Sequence, residues 1–185
     1  MMQLRKLAFL TSTTLLLACK KDGDNADTPT PPANDGEVLT SVILELTDTT
    51  SGSASMSFAF RDLDAEGSNP PIEWDTLFLQ ANRVYDARII VLNEIAIPTD
   101  TISLEIEEEA DEHLFCFESN ISGLSVTRTD SDGQYEVGLY SRWTTPAASI
   151  GNVTITLKHQ PGVKNGTCEP GDTDIEVVFP CVIEW

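Results

Sequence analysis

Basic side chains are scarce in this chain of 185 residues, which has 11 lysines and arginines against 30 aspartates and glutamates. The formal charge of −19 excludes nucleic acid as a natural partner, because phosphate binding requires a clustered basic surface. Long apolar runs are also missing: the longest stretch, near the N-terminus, is too short and too rich in threonine to span a bilayer. The length still allows one domain with a real core, so folding does not depend on metals or on a dense set of disulfides.

Recognisable catalytic motifs are missing as well. The sequence contains no nucleophile elbow, no HExxH, no CxxC and no glycine-rich loop of the kind that cradles phosphate. With 30 carboxylates, some pair will have glycosidase spacing by chance, so such a pair carries little information. We therefore predict that the protein is not an enzyme.

The N-terminus has the layout of an export signal. Arg5 and Lys6 precede a short apolar segment, LAFLTSTTLLLA, as in a secretory signal peptide. The segment ends in LLAC, which resembles the lipobox of bacterial lipoproteins, a family in which signal peptidase cuts before a diacylglycerol-linked cysteine. We predict a lipoprotein signal peptide at residues 1–18 and lipidation of Cys19; the alternative is an ordinary signal peptide with a chance cysteine.

A polar segment follows the predicted lipidation site. The sequence KKDGD directly after Cys19 resembles the surface-export signal of some Gram-negative lipoproteins, with a solvated charge run as the alternative. The segment is rich in Asp, Thr, Pro, Asn and Ala and cannot bury enough apolar surface to offset its ordering entropy. We predict a disordered acidic tether at residues 19–36, on an outer-membrane lipoprotein that faces the periplasm or the cell surface.

Residues 37–185 alternate apolar and polar side chains with the period of β-strands. Turn signals, such as Asn69-Pro70-Pro71 and Ser131-Asp132-Gly133, separate the runs. We predict an all-β domain, an antiparallel β-sandwich of about eight to ten strands, with a β-barrel as the alternative because periodicity does not show closure. The runs are centred on residues 42–46, 56–60, 85–91, 102–106, 113–117, 124–126, 135–139, 153–159 and 175–183. The one possible helix, residues 105–112, is interpreted instead as a strand end that runs into an acidic turn, because its apolar residues stop at Ile106.

Three cysteines follow Cys19, and an exported compartment is oxidising enough for a disulfide between two of them. Cys168 lies in the loop before the last predicted strand and Cys181 lies within that strand, so we predict a bridge between these two. Cys116 lies within a strand between two phenylalanines and is either a buried free thiol or the alternative partner. Three cysteines allow three pairings, and spacing does not choose between them.

An acidic turn has the spacing of a calcium-binding loop, with carboxylates at positions one, three and five, glycine at six and glutamate at twelve. A hard cation needs several oxygens around one tight turn, which makes the pattern chemically reasonable. Two prolines exclude the usual exit helix, so a solvated acidic turn is the alternative. The residues of this candidate calcium site are Asp62, Asp64, Glu66, Gly67 and Glu73.

The two histidines are candidate metal ligands. His113 begins one predicted strand and His159 ends another, each on the apolar parity of its strand. If the two strands are antiparallel neighbours, both imidazoles meet at one rim of the core. Neutral imidazole is a good ligand for zinc, copper or haem iron, and Glu109, Asp111 and Glu112 are close in sequence. The alternative is two half-buried histidines, each hydrogen-bonded to a carboxylate or a backbone carbonyl.

Three stretches together resemble a known family: DLD and a following glycine at residues 62–67, EEEADEH at residues 107–113, and LKHQP at residues 157–161 followed by TDIEV at residues 173–177. They are similar to small envelope lipoproteins labelled as type 1 periplasmic binding fold superfamily proteins, which are often encoded beside a TonB-dependent outer-membrane receptor. The resemblance covers most of residues 37–185 and implies an envelope lipoprotein that presents a ligand to such a receptor. The two-lobed α/β fold named in that label conflicts with the strand pattern, and we keep the β prediction.

We therefore expect a non-enzymatic, lipid-anchored β-sandwich that binds a small ligand, a metal or haem, for a TonB-dependent receptor. The alternative is a structural or adhesive surface module that binds glycan or protein. Trp74, Tyr140 and Trp143 would then be candidates for its binding face, although buried packing is expected for each.

Overall fold

The computed structural model describes residues 38–52, 55–65 and 69–185. The predicted signal peptide, the lipidated Cys19 and the tether all lie outside these residues. The described chain contains one helix, α1 (Ile102–Glu108), and ten strands. The strands are β1 (Ser41–Asp48), β2 (Met56–Arg61), β3 (Glu73–Trp74), β4 (Leu77–Gln80), β5 (Val84–Leu92), β6 (His113–Ser119), β7 (Ser125–Arg128), β8 (Tyr140–Thr144), β9 (Ser149–His159) and β10 (Asp172–Glu184).

The strands form two sheets, which confirms the predicted sandwich. Six strands have the order β3-β2-β1-β5-β8-β7, and the other four have the order β4-β10-β9-β6. Among the described strand pairs only β4 and β10 run parallel, and the remainder are antiparallel. Among the described residues, no helix is long and apolar enough to cross a membrane.

The core lies between the sheets and follows from the alternation. In β1 the side chains of Val42, Leu44 and Leu46 are buried, and their register partners in β5 are buried with them. The core-facing residues of β9 and β10 belong to the same buried cluster, namely Val153, Ile155, Leu157, Val177, Phe179, Cys181 and Ile183. Removal of each of the valine, leucine, isoleucine and phenylalanine side chains from water contributes about 1.5–3 kcal/mol, so these four strands form a stable support for the loops at their ends.

The predicted strand at residues 102–106 and the strand end interpreted at residues 105–112 are both wrong, because Ile102–Glu108 forms α1. Ile102 and Ile106 are buried, whereas Leu104 is 53% exposed. In a strand all three would lie on one face, but in a helix only the residues four apart share a face. The two isoleucines fit both periods, so the exposed Leu104 is what distinguishes the helix.

The predicted strand at residues 135–139 is also wrong, although its apolar residues are buried. Val137 and Leu139 pack into the core as part of an irregular segment whose only bridge joins Ser131 to Glu136. The N–H of Phe115 donates to the carbonyl of Val137 at 2.7 Å, which covers the edge of β6. Gly138 has φ +96°, and a Cβ there would lie 3.0 Å from the Phe115 side chain, so this covering segment needs glycine.

Candidate functional site

Three chain segments meet at one end of the sandwich, which we call the loop end: the turn at residues 109–112, the hairpin at residues 130–136 and the loop at residues 160–171. The N–H of Gln160 donates to the carbonyl of Glu112 at 2.6 Å. The ammonium of Lys164 donates to the carbonyl of Ala110 at 2.6 Å and to the carboxylate of Asp132 at 2.8 Å. Loops held on a rigid sandwich are common places for binding sites.

Lys164 and Asp132 form a buried ion pair. Their side chains are 3% and 7% exposed, and the second carboxylate oxygen of Asp132 accepts the N–H groups of Gln134 and Tyr135, both at 2.7 Å. Burial by itself would raise the pKa of Asp132, but the hydrogen bonds from Lys164 and the two amides outweigh it and lower the pKa to about 2. The carboxylate therefore stays ionised throughout the physiological pH range.

A cavity of about 310 Å³ lies against this ion pair. Its volume is at the lower end of the range for ligand pockets, roughly 300–1,000 Å³. The wall combines charged, amide and aromatic side chains with one glycine: Asp111, Asp132, Gln134, Tyr135, Gly162 and Lys164. Sequence reasoning does not identify this group, because the pairing of Lys164 with a residue 32 positions earlier is a tertiary contact. The sequence signals are the turn motifs at residues 131–133 and 160–162, which mark two of the three segments.

The buried side chain of Gln160 stabilises the loop beside the cavity through hydrogen bonds. This side chain is completely buried, and its Nε2 donates to the carbonyls of Thr167 and Pro170 at 2.9 and 2.8 Å. Two backbone N–H groups, those of Val163 and Lys164, donate in turn to the Gln160 carbonyl. These bonds hold the loop in one shape, so the cavity wall is formed before any ligand arrives.

The disulfide joins Cys116 to Cys168, with Cα atoms 6.1 Å apart, so the predicted bridge between Cys168 and Cys181 is wrong. The physical reason is strand parity. Cys181 shares the parity of Phe179 and Ile183, faces the core and is a buried free thiol whose pKa burial raises to about 11. Cys116 has the opposite parity from its two phenylalanine neighbours and points away from the core, where the loop brings Cys168 to it.

The predicted neighbourhood of the two histidines is confirmed. Strands β6 and β9 are adjacent and antiparallel, and His113 is the register partner of His159. The rings stack with centroids 4.9 Å apart and an angle of 12° between their planes. His113 Nδ1 lies 3.1 Å from the Glu109 carbonyl, and His159 Nε2 lies 3.4 Å from the Glu112 carboxylate. Each imidazole therefore has a carbonyl or carboxylate partner, as the alternative interpretation expects.

This geometry does not favour a metal ion bound by both imidazoles. A metal lies in the plane of each imidazole that binds it, at about 2.0–2.1 Å, and two nearly parallel stacked rings do not direct their lone pairs at one point. Glu109 contacts His113 through its carbonyl, and Asp111 lies in the cavity wall. In the part of the chain that the structure describes, no group of three or more His, Cys, Asp or Glu side chains could hold a metal.

Burial of His113 makes a testable prediction about pH. Burial lowers the pKa of His113, and the neighbouring His159 lowers it further, while the Glu109 carbonyl and nearby Asp174 act in the opposite direction. An unfolded histidine titrates near pH 6.5. Below about pH 6.5, and down to the lowered pKa, the unfolded chain binds a proton that the folded chain does not, so stability falls as the pH falls.

We expect the free energy of unfolding, measured in urea between pH 7.5 and 5, to fall more steeply in the natural protein than in His113→Gln. The extra slope is at most about 1.4 kcal/mol per pH unit. Glutamine keeps a donor for the Glu109 carbonyl and does not titrate. The remaining titratable groups therefore contribute equally to both stability profiles. Two superimposable profiles would contradict the assignment.

The acidic turn after β2 forms only part of a calcium loop among the described residues. Asp62 and Asp64 lie together, and the hydrogen bond between them raises the pKa of Asp62. Glu73 instead forms an ion pair with Arg61, and Glu66 lies outside the described residues. A calcium site at this turn stays a prediction.

The three aromatic residues considered for an adhesive face do not share one. Trp143 is fully buried, and Trp74 crosses between the sheets to donate its indole N–H to the carbonyl of Val178 at 2.8 Å. Tyr140 lies under the guanidinium of Arg88, 5.9 Å from the ring centre. Three strands separate Trp74 from Tyr140 in the six-stranded sheet.

No known protein family, curated protein or solved structure matches the chain.

Proposed function

We propose that this protein is a non-enzymatic binding protein of the bacterial cell envelope that takes a small polar ligand in the cavity at the loop end. The observation that carries this proposal is the buried ion pair of Lys164 and Asp132 in the cavity wall. A buried pair adds little stability relative to apolar residues of the same size, because desolvation offsets its attraction. Its presence in a cavity wall therefore supports a role in holding polar groups at fixed positions.

The location and partner in this proposal come from the sequence. The LLAC segment that ends at Cys19 supports a lipid anchor in the outer membrane. The resemblance to envelope lipoproteins supports a TonB-dependent receptor as the partner that receives the ligand. A metal or haem is a weaker candidate for the ligand, since the stacked rings of His113 and His159 do not converge.

A second function, an adhesive or structural module, is supported by a different surface. Phe78, Val182 and Ile150 are register partners across three strands on the outer face of the four-stranded sheet. Phe78 is 55% exposed and Ile150 is 79% exposed, which makes an apolar row on a face that is otherwise polar along β9. Exposed apolar patches of this kind mark contacts with other macromolecules.

The two functions separate in one experiment on the ¹⁵N-labelled protein. We expect polar compounds from a fragment collection to shift the amide signals of residues 132–135 and 162–164. Asp111→Ala should remove these shifts, because Asp111 lines the cavity and is exposed. Asp86→Ala is the matched control, since Asp86 is also an exposed carboxylate and lines a different cavity.

Zinc, calcium and haem are titrated into the same sample. If the fragment compounds shift only the amide signals of Phe78, Val182 and Ile150, the result would favour the adhesive module over the ligand-binding protein. Metal or haem binding that is lost in His113→Ala with His159→Ala would move the site to the histidine pair. The absence of any shift at residues 132–135 and 162–164 would overturn the proposed site.

A further inference from the structure

The cavity at the loop end has a charge balance that disfavours anionic ligands. Lys164 and Asp132 neutralise each other at 2.8 Å, which leaves Asp111 as the one uncompensated charge among the residues that line the cavity. The chain as a whole carries a formal charge of −19, so the surrounding field also repels anions. A phosphate, a sulfate or a carboxylate would meet this repulsion without a free basic group to offset it.

The polar groups of the wall match a ligand that both donates and accepts hydrogen bonds around its periphery. The Asp111 carboxylate only accepts, the Lys164 ammonium only donates, and Gln134 and the Tyr135 hydroxyl do both. Two of the three Lys164 donors serve Ala110 and Asp132. Hydroxyl groups satisfy such a mixed set, because each can act as donor or acceptor by rotating its hydrogen.

Tyr135 adds an apolar surface whose orientation is fixed. A Cβ built on Gly166 would lie 3.1 Å from Cδ1 and 3.7 Å from Cε1 of the Tyr135 ring, so the ring packs closely against the glycine backbone. Gly166 has φ +83°, a conformation that favours glycine and permits this approach. A ring held in place before binding loses little entropy when a ligand packs on it.

We infer that the cavity binds a neutral sugar, a pyranose ring whose hydroxyl groups meet Asp111, Gln134 and Lys164 and whose apolar face packs on Tyr135. This inference rests on the proposed function and names its ligand class. The volume of about 310 Å³ is at the lower end of the range for ligand pockets and suits one sugar ring rather than a long chain. Aromatic rings next to carboxylate and amide groups give such a ligand both its apolar and its polar contacts.

The test uses the purified full-length protein in a detergent without a sugar head group, followed by two-dimensional NMR. The probes are the methyl pyranosides of glucose, galactose and mannose, with glucuronate as the charged counterpart. We expect at least one neutral pyranoside to shift the amide signals of residues 132–135 and 162–164 in a saturable way. Glucuronate should bind at least tenfold more weakly than the neutral sugar, because its carboxylate faces Asp111.

Variants then test the individual contacts. Tyr135→Ala should weaken binding about tenfold through loss of the stacking surface, and Tyr135→Phe should keep most of the affinity. Tyr140→Ala is the matched control, since Tyr140 is an exposed tyrosine on a different cavity, and it should leave the affinity unchanged. Asp111→Asn should reduce the difference in affinity between glucuronate and the neutral sugar. If Tyr135→Ala does not fold, Asp111→Asn decides the outcome: an unchanged ratio between the affinities for glucuronate and for the neutral sugar would overturn the sugar site.

Equal affinity in the natural protein and in a folded Tyr135→Ala would overturn the sugar site. Fragment shifts at residues 132–135 and 162–164 without any sugar binding would overturn the sugar inference and leave the proposed binding function standing. The absence of shifts with every probe would overturn both.

Discussion

Lys164→Met should lower the free energy of unfolding by about 3 kcal/mol, the lower end of the effect of breaking a buried ion pair, since this pair borders a cavity that is open to the surface. The substitution keeps most of the side-chain volume but leaves the Asp132 carboxylate, 7% exposed, without its cation. It also removes the donor that bonds the Ala110 carbonyl at 2.6 Å. Urea unfolding followed by tryptophan fluorescence measures the loss, because Trp143 is fully buried in the folded state.

The matched control is the double variant Lys164→Met with Asp132→Asn. Asparagine keeps an oxygen for the N–H groups of Gln134 and Tyr135 and removes the uncompensated charge. The double variant should therefore be more stable than Lys164→Met alone, a non-additive result that identifies the buried charge as the cause. A loss below about 1 kcal/mol in Lys164→Met, or no recovery in the double variant, would show that the pair is solvated in solution.

Removal of the Cys116–Cys168 disulfide should cost about 4 kcal/mol, because it closes a loop between residues 52 positions apart and so restrains the unfolded chain. The variant is Cys116→Ala with Cys168→Ala, measured by urea unfolding without reductant. Cys181→Ala is the comparison: it removes one buried sulfur atom from the core and should cost about 1 kcal/mol. Comparison of the two losses separates the contribution of the crosslink to the free energy of unfolding from the contribution of packing a cysteine side chain.

Peptide mapping without reduction checks the connectivity directly. We expect one linked pair of peptides that contain Cys116 and Cys168. Cys181 should react with an alkylating reagent at neutral pH only after unfolding, because it is buried and its thiol pKa is about 11. A linked pair that contains Cys181, or rapid alkylation of Cys181 in the folded protein, would contradict the structure.

The parts of the fold that sequence analysis predicts correctly are those in which local alternation and tertiary burial agree. β1, β5, β9 and β10 alternate over 8 to 13 residues, and no other regular structure places such a pattern on one face. The meeting of His113 with His159 follows from the same parity once two strands are assumed to be neighbours. Segment 102–106 is the counterexample, since two isoleucines four residues apart satisfy both the strand and the helix.

The candidate site is less predictable because it is made of contacts between loops. Asp132 and Tyr135 lie in one hairpin and Lys164 lies in a separate loop, and only the folded sandwich brings the two segments together. The disulfide is an intermediate case. The outward parity of Cys116 and the inward parity of Cys181 are visible in the sequence, but the position of Cys168 relative to either is set by the loop.

The place of β10 in its sheet has a consequence for how the protein is made. Residues 172–184 are synthesised after every other described strand, yet they lie between β4 and β9 and supply Val177, Phe179 and Ile183 to the core. The nascent chain therefore cannot close its four-stranded sheet until these residues have left the ribosome. Until then β4 and β9 lack the strand that lies between them, and the core lacks the side chains that β10 supplies, so the strands made earlier have no complete sheet to pack against.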